Sequence, residues 1–244
     1  LRILSIFTII FSHDLLTAQD NDGSDELEPV IVLGRAQQYY RVDNSTIGSK
    51  TATEQINLPV STQVISEQLM KDMAARNITD LYRSIPGVSE FSYSGVTFRG
   101  FREDGNVFYD GVRGDPYSGF SVPQLFNVER VEVLKGPMSA LYGAGEPAGL
   151  INYVTKKASF DNSINTGLSV GNYNLLGGYV DSRGAITDKV AHRIAIFNET
   201  QDSFRKNADS ENLEIAGGLL FQLSESTAID FNFDIVEQDL GGNR

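Results

Sequence analysis

The 244-residue sequence contains no cysteine and no tryptophan, and it has two histidines, His13 and His192. The missing cysteines exclude disulfide bonds and thiolate metal sites. Two histidines far apart in the sequence leave no histidine-based metal site either. No nucleophile with a base, no paired carboxylates and no cofactor motif stands out. We therefore predict a protein that is not an enzyme and that binds no metal ion or cofactor directly.

Positive charge and long apolar runs are also scarce. The 20 Lys and Arg residues stand against 32 Asp and Glu residues, which gives a net charge of -12. This balance argues against a nucleic acid partner, because phosphates are neutralised by clustered basic side chains. After the N-terminal residues, no apolar run reaches the roughly 20 residues of a membrane-spanning helix. Any contact with a membrane would therefore be made by β-structure.

The N-terminal residues have the pattern of a secretion signal. Residues 1–18 combine one positive charge with an apolar run and end at Ala18, which predicts a signal peptide cleaved after that residue. A buried N-terminal strand is the alternative. Residues 19–47 are predicted to be a flexible leader, because residues 19–28 are polar and acidic.

One apolar segment, at residues 28–34, stands apart within this leader. It follows polar sequence and has no local core to join, so its composition is that of a strand available to a partner edge. Its residues after Glu28 are Pro29, Val30, Ile31, Val32, Leu33 and Gly34. The sequence therefore predicts that this segment pairs with another molecule by strand addition.

The stretch that organises the chain is residues 128–157, VERVEVLKGPMSALYGAGEPAGLINYVTKK. Val131 and Val133 alternate with charged residues, which predicts a strand with one face in a core. A glycine and a proline end that strand, a single helical turn is predicted at 138–142, and a second strand at 150–155. The glycine-rich loop lacks the lysine and hydroxyl of a P-loop, so compact packing of a turn is favoured over nucleotide binding.

This stretch resembles the end of the plug domain of TonB-dependent outer-membrane receptors, especially the siderophore receptors. Family members carry ERVEVLKGP-x-S-x-LYG and, further on, a pair of glycines, one of which is replaced here by Ala148. The sequences LYRSIPGVSE at 81–90, GVTFRGF at 95–101 and NVFYDGV at 106–112 resemble further plug motifs. The resemblance covers residues 28–160 and includes the segment at 29–34, which resembles a TonB box.

The resemblance implies an α+β plug domain at residues 48–158, with a short mixed sheet and small helices. From the residues themselves, Ser66 is predicted to cap a helix at 67–76. Thr79 is predicted to cap a second short helix, which must end before Pro86 because the residue before proline disfavours helical geometry.

Residues 159–244 alternate apolar and polar side chains and are predicted to form about five strands. The clearest example interleaves Ile229, Phe231, Phe233 and Ile235 with polar residues. The alternation is typical of a transmembrane barrel, and a soluble β-sandwich is the alternative from the pattern alone. The resemblance implies the first strands of a transmembrane antiparallel β-barrel, incomplete in this chain. We therefore expect the N-terminal part of a larger receptor of the Gram-negative outer membrane.

The resemblance also implies a function, the import of a ferric siderophore with the iron carried inside the chelator. A TonB-type periplasmic protein would pull on the box, and the plug would close the pore of a barrel embedded in outer-membrane lipid. Ligand would bind at outward loops of the plug, where aromatic rings and guanidinium groups suit a chelate. The expected ligand-binding residues are Tyr93, Arg102, Gly105, Arg113, Tyr117 and Phe120.

Arg99 and Arg130 are predicted to lie in strands with apolar neighbours, where an unpaired cation is costly. The resemblance implies a latch, which includes Glu132, between these plug residues and glutamates of the barrel wall. A salt bridge inside the plug, from Arg130 to Glu129 or Glu132, is the alternative. Two other functions stay open: a TonB-dependent receptor for a vitamin, sugar or other metal chelate, and a secreted β-rich binding module.

Overall fold

The computed structural model describes residues 40, 42, 44–51, 53–58, 60–90, 96–102, 107–114, 124–136, 139–143, 148–206 and 208–241. The predicted signal peptide at 1–18 and the predicted box at 29–34 lie outside these residues, as does nearly all of the leader. In the described part of the chain, no helix is long and apolar enough to cross a membrane.

A small α+β unit, residues 44–158, precedes a sheet of long strands, residues 163–240. The strands of the N-terminal unit are β1 (Asn44–Ser45), β2 (Thr53–Glu54), β3 (Ser61–Ser66), β4 (Val88–Glu90), β5 (Val96–Phe98), β6 (Phe101–Arg102), β7 (Val107–Tyr109), β8 (Val112–Arg113), β9 (Val128–Lys135) and β10 (Gly149–Thr155). Its helices are α1 (Glu67–Asp72), α2 (Ile78–Tyr82) and α3 (Ser139–Tyr142), with a 3₁₀ turn at Gln55–Asn57. The C-terminal sheet contains β11 (Ser163–Gly171), β12 (Leu175–Thr187), β13 (Val190–Gln201), β14 (Ser210–Ser224) and β15 (Thr227–Leu240).

The main sheet of the N-terminal unit is mixed, with the strand order β3-β9-β10-β7-β8. Strand β10 pairs antiparallel with β9 and parallel with β7, so the two strands predicted at the organising stretch lie at its centre. Strands β4, β5 and β6 form a second, smaller sheet. The predicted α+β class, with short mixed sheets and small helices, is confirmed.

Both faces of the main sheet are covered, because β9 and β10 bury apolar side chains on each side. Val131 and Val133 are fully buried and pack with Ile151 and Tyr153 in a cluster that also includes residues of α1 and α2. On the other face, Leu134 packs in a separate cluster with Leu150, Phe108 and Ile47. Double-sided burial explains why the sequence of β10 is nearly continuous in apolar residues rather than alternating.

The first predicted helix cap is confirmed and the second is wrong. The Ser66 side chain accepts a hydrogen bond from the Leu69 amide at 3.3 Å, as predicted, but α1 ends at Asp72 because Ala74 has a left-handed backbone with φ 51°. Helix α2 is capped by Asn77, not by Thr79. The Asn77 side chain accepts from the Asp80 amide at 3.2 Å, and the Asp80 carboxylate accepts from the Asn77 amide, which satisfies two free donors at once.

Two glycines beside β10 serve different purposes, Gly111 through its positive φ and Gly149 through a close contact. Asp110 and Gly111 form the turn between β7 and β8 with φ values of 48° and 79°, the geometry that an Asp-Gly pair favours. The Asn152 side-chain oxygen accepts from the Gly111 amide at 2.9 Å, which fastens this turn to β10. At Gly149, a Cβ atom would lie 2.6 Å from the Leu134 carbonyl oxygen and 2.9 Å from the Phe98 ring. Glycine at 149 therefore lets β10 lie close to both the backbone of β9 and the Phe98 ring.

The C-terminal sheet is an antiparallel meander in which each of its five strands pairs with the next. Residues 225–226 join β14 to β15, and the longer segment 202–209 joins β13 to β14. Successive side chains alternate between an inner face, toward the N-terminal unit, and an outer face that is apolar and exposed. The outer face includes Val180, Ile194, Ile196, Phe231, Phe233 and Ile235. The predicted antiparallel strands are confirmed.

Candidate functional site

Most of the predicted ligand-binding residues fall outside the described part of the chain: Tyr93, Gly105, Tyr117 and Phe120. Arg102 belongs to β6, and its side chain is not described. Arg113 is exposed in β8, where its guanidinium lies 5.2 Å from the centre of the Phe108 ring and donates to the Tyr142 carbonyl at 3.1 Å. The ligand role of all six residues stays a prediction.

The predicted latch residues contact the N-terminal unit itself. Arg99 lies in the turn after β5 with φ 50°, so the prediction that it belongs to a strand is wrong. Arg130 of β9 lies 3.0 Å from a carboxylate oxygen of Glu132 and 3.2 Å from one of Glu129. This is the internal pairing that the sequence left open as the alternative. A contact between Arg99 or Arg130 and a barrel wall stays a prediction.

Glu132 explains why Arg130 is held internally. Its carboxylate is fully buried and accepts from the Thr46 amide at 3.3 Å, the Thr46 hydroxyl at 3.2 Å and the Asn152 amide nitrogen at 3.2 Å. With the Arg130 guanidinium, these donors compensate a charge that has no access to water. The cluster ties the segment that follows β1 to β9 and β10.

Replacing Arg130 with alanine is expected to destabilise the N-terminal unit by about 2 kcal/mol, because Glu132 would keep its neutral donors but lose its cation. Amide exchange of β9 and β10 should become roughly 30-fold faster. The matched control is Glu129→Ala, which removes a half-exposed partner and should cost less than about 1 kcal/mol. Equal amide exchange rates in the two variants would show that the ion pair between Arg130 and Glu132 contributes nothing to the stability of the N-terminal unit.

A second polar cluster joins the N-terminal unit to the C-terminal sheet, and sequence reasoning missed it. We call the C-terminal sheet the wall and these contacts the seam. Arg193 of β13 is 4% exposed and donates to both carboxylate oxygens of Asp181 on β12, at 3.0 Å each. The same guanidinium donates to the side-chain oxygen of Asn127 and, at 2.9 Å, to the Lys156 carbonyl. Asn127 in turn donates to Asp234 of β15 at 3.1 Å.

The two lysines that end the organising stretch each form an ion pair with the wall, and Lys156 also pairs with α1 of the N-terminal unit. The Lys156 ammonium lies 2.9 Å from Glu67 of α1 and 3.9 Å from Asp181 of the wall, and Lys157 lies 3.1 Å from Asp230 of β15. Burial alone would raise the pKa of the Glu67 carboxyl, but Lys156 and Lys71 together hold that pKa below its ordinary value. Glu67 is therefore held as a carboxylate at neutral pH.

Arg76 makes another ion pair of the seam, with Glu199 of β13, whose side chain is 3% exposed. These contacts of the seam are made by charged and amide groups from both sides. The signal that could have located it is the placement of Asp181, Arg193 and Asp234 at inward positions of alternating strands. The sequence does not say which of them meets Asn127 or Lys156.

A small α+β unit held by polar contacts against the inner face of an outwardly apolar, antiparallel sheet is the arrangement of a plugged outer-membrane receptor. The family model for the TonB-dependent Receptor Plug Domain matches residues 54–150. The chain belongs to the TonB-dependent receptors and is a protein of the outer membrane, as the sequence predicted.

Similar proteins are siderophore or metal-chelate receptors. The catecholate siderophore receptor Fiu of Escherichia coli K12 is 32% identical over 185 residues, 72% of this chain and 24% of the relative. The metal-pseudopaline receptor CntO of Pseudomonas aeruginosa is 27% identical over 237 residues, 92% of this chain and 33% of the relative. The structure of the pyoverdine receptor FpvA of Pseudomonas aeruginosa matches with a TM-score of 0.76 and 25% identity, over 83% of this chain and 31% of that one. The chain thus spans a quarter to a third of the length of these proteins.

Proposed function

We propose that the protein imports a ferric siderophore across the outer membrane, with the iron carried inside the chelator and the transport energised through the box at residues 29–34. Residues 44–158, hereafter the plug, would fill the lumen of a barrel whose first strands are the wall. The apolar outer face of the wall would contact membrane lipid. The family and the siderophore receptors among its relatives support this proposal.

The observation that carries the proposal is the contrast between the core of the plug and its seam. Both hydrophobic clusters of the plug are made of plug residues alone. The contacts that cross to the wall, in contrast, include ion pairs and hydrogen bonds of Arg76, Asn127, Lys156 and Lys157, together with an aromatic contact of Phe126. A plug with its own core can shift against the wall without exposing that core, and water can replace the polar contacts that are lost.

Ligand would act by changing the balance between seated and displaced states of the plug. A siderophore bound at the outward loops can signal to the box only if it binds the two states with different affinities. Work done on the box by a TonB-type periplasmic protein would then shift part of the plug. The protein would bind and release the chelator through side-chain contacts, and no covalent step is required.

Uptake of labelled iron tests the proposal. Cells that express the complete receptor should accumulate iron supplied as one class of siderophore, at least about tenfold faster than cells without it, and unlabelled chelate of the same class should compete. Ferric catecholates, hydroxamates and pyoverdine-type chelates form the test panel. Absence of binding and uptake for every ferric chelate would reject the proposal.

A second candidate, a receptor for the chelate of another metal, is favoured by the similarity to the metal-pseudopaline receptor. It predicts uptake of a metal other than iron presented as a chelate, with no uptake of ferric siderophores. The same transport panel therefore separates the two candidates.

A further inference from the structure

A cavity of about 170 Å³ lies in the seam between α1 of the plug and strands β11 to β13 of the wall. One of its sides is aromatic. The Phe126 ring of the plug is stacked on the Phe197 ring of the wall, with centres 5.2 Å apart and planes 21° apart. Tyr179 of the wall adds a third ring, 5.6 Å from Phe126. Ring faces and edges of this kind favour a planar aromatic guest.

The other side of the cavity is charged, with an excess of cations. Lys71, Arg76 and Lys156 face two carboxylates, Glu67 and Glu199. Each carboxylate is already paired, Glu67 with Lys71 at 2.8 Å and Lys156 at 2.9 Å, and Glu199 with Arg76. The lining therefore carries three cations and two carboxylates, and Asp181, which does not line the cavity, lies 3.9 Å from the Lys156 ammonium.

Arg76 also has a hydrogen-bond donor without an acceptor. Its terminal nitrogens are directed to Glu199 and, at 3.5 Å, to Gln201. The Arg76 side chain is 39% exposed, but its Nε–H group is itself buried and has no partner among the described residues. A buried guanidinium donor without an acceptor is unfavourable, and an anionic oxygen is the strongest acceptor for it.

We propose that this cavity binds a single aromatic oxyanion, a benzoate- or phenolate-type ring whose acidic oxygen accepts from Arg76 and whose ring packs against Phe126 and Tyr179. Its size suits one ring, since a cavity of about 150 Å³ is enough for benzene. A whole chelate with several such rings does not fit. The inference rests on the proposed function in one respect, that in the cell the ring is one arm of an iron chelate passing between plug and wall.

Binding of 2-hydroxybenzoate to the purified complete receptor tests the site. Wild-type protein should bind the probe saturably, with a Kd of about 1 mM or below. Arg76→Gln should weaken binding about tenfold or more, because it removes a charged donor. Arg83→Gln, which changes an exposed arginine at the end of α2, is the matched control and should leave the Kd unchanged.

Two further probes separate ring from charge. Cyclohexanecarboxylate has the charge without the aromatic ring, and benzyl alcohol has the ring without the charge, so both should bind several-fold more weakly than 2-hydroxybenzoate. If amide exchange shows that Arg76→Gln displaces the plug from the wall, the Tyr179→Leu variant is tested in place of Arg76→Gln. Tyr179→Leu should also weaken binding several-fold.

Absence of saturable binding to the wild type, or equal affinity in the wild type and the cavity variant, would overturn the inference. The result of this binding test does not depend on whether the receptor transports a chelate. If the probe binds as described but cells import no ferric chelate, the site stands and the proposed function fails. If cells import a chelate but the probe does not bind, only the site is rejected.

Discussion

Replacing Arg193 with alanine should loosen the plug from the wall by about 3 to 5 kcal/mol, the usual cost of leaving a buried charge without its partner. The substitution would leave Asp181, 6% exposed, without its bidentate cation. It would also remove the donor that reaches Asn127 and the Lys156 carbonyl on the plug.

The readout is amide exchange resolved by region. Plug amides near Asn127 and Lys156 should exchange about 100-fold faster or more, whereas amides in the middle of β13 and β14 should change much less, because the strand pairing itself is intact. Arg183→Ala is the matched control. Arg183 is the cross-strand neighbour of Arg193, but it is exposed and hydrogen-bonds Ser163 within the wall. Its loss should cost less than about 1 kcal/mol.

A double variant makes this test sharper. Arg193→Met combined with Asp181→Leu removes both charges and should recover much of the lost stability, because a buried ion pair can be replaced by apolar groups at little net cost. Equal plug exchange in Arg193→Ala and Arg183→Ala would contradict the role of Arg193 in the seam.

Deleting residues 29–34 should abolish uptake of the ligand while changing its affinity by no more than about threefold. The apolar segment contains the backbone donors and acceptors that a periplasmic partner needs for strand addition, and its removal leaves no edge to pull on. Ligand binding should persist, since the expected contacts lie on the opposite side of the plug. Binding to whole cells and accumulation of labelled iron measure the two quantities separately.

Two controls accompany the deletion. Removing residues 20–25, six polar or glycine residues of the same leader, should leave uptake at the level of the wild type. Ile31→Pro keeps the length of the box but removes a backbone donor, so it should reduce uptake nearly as far as the deletion does. Undiminished uptake without residues 29–34 would reject the coupling role of this segment.

Local patterns predicted much of the fold correctly. The alternation around Val131 and Val133 located β9, and the apolar run at 150–155 located β10. The Ser66 cap and the short helix after it were also predicted. These features depend on residues close together in sequence, whose geometry is set by backbone preferences and the need to bury apolar side chains.

The wrong predictions concern a helix with two possible capping residues and a residue at which the backbone turns. Asn77 caps α2 in place of Thr79, because an asparagine with Asp80 three residues later forms a reciprocal capping box. The Thr79 hydroxyl instead donates to the Asn77 side chain at 2.8 Å. Arg99 lies in a left-handed turn rather than in a strand, and its neighbours in sequence did not reveal that.

The sequence by itself determined the class of this protein, its α+β plug and its antiparallel wall, because those depend on periodicity and on a motif of consecutive residues. Only the tertiary structure decided how plug and wall are joined. Arg193 meets Asn127 from 66 residues away, and Arg76 meets Glu199 from 123 residues away. Several charged residues were equally available for these roles, and burial in the folded chain selects the few whose charges must be paired.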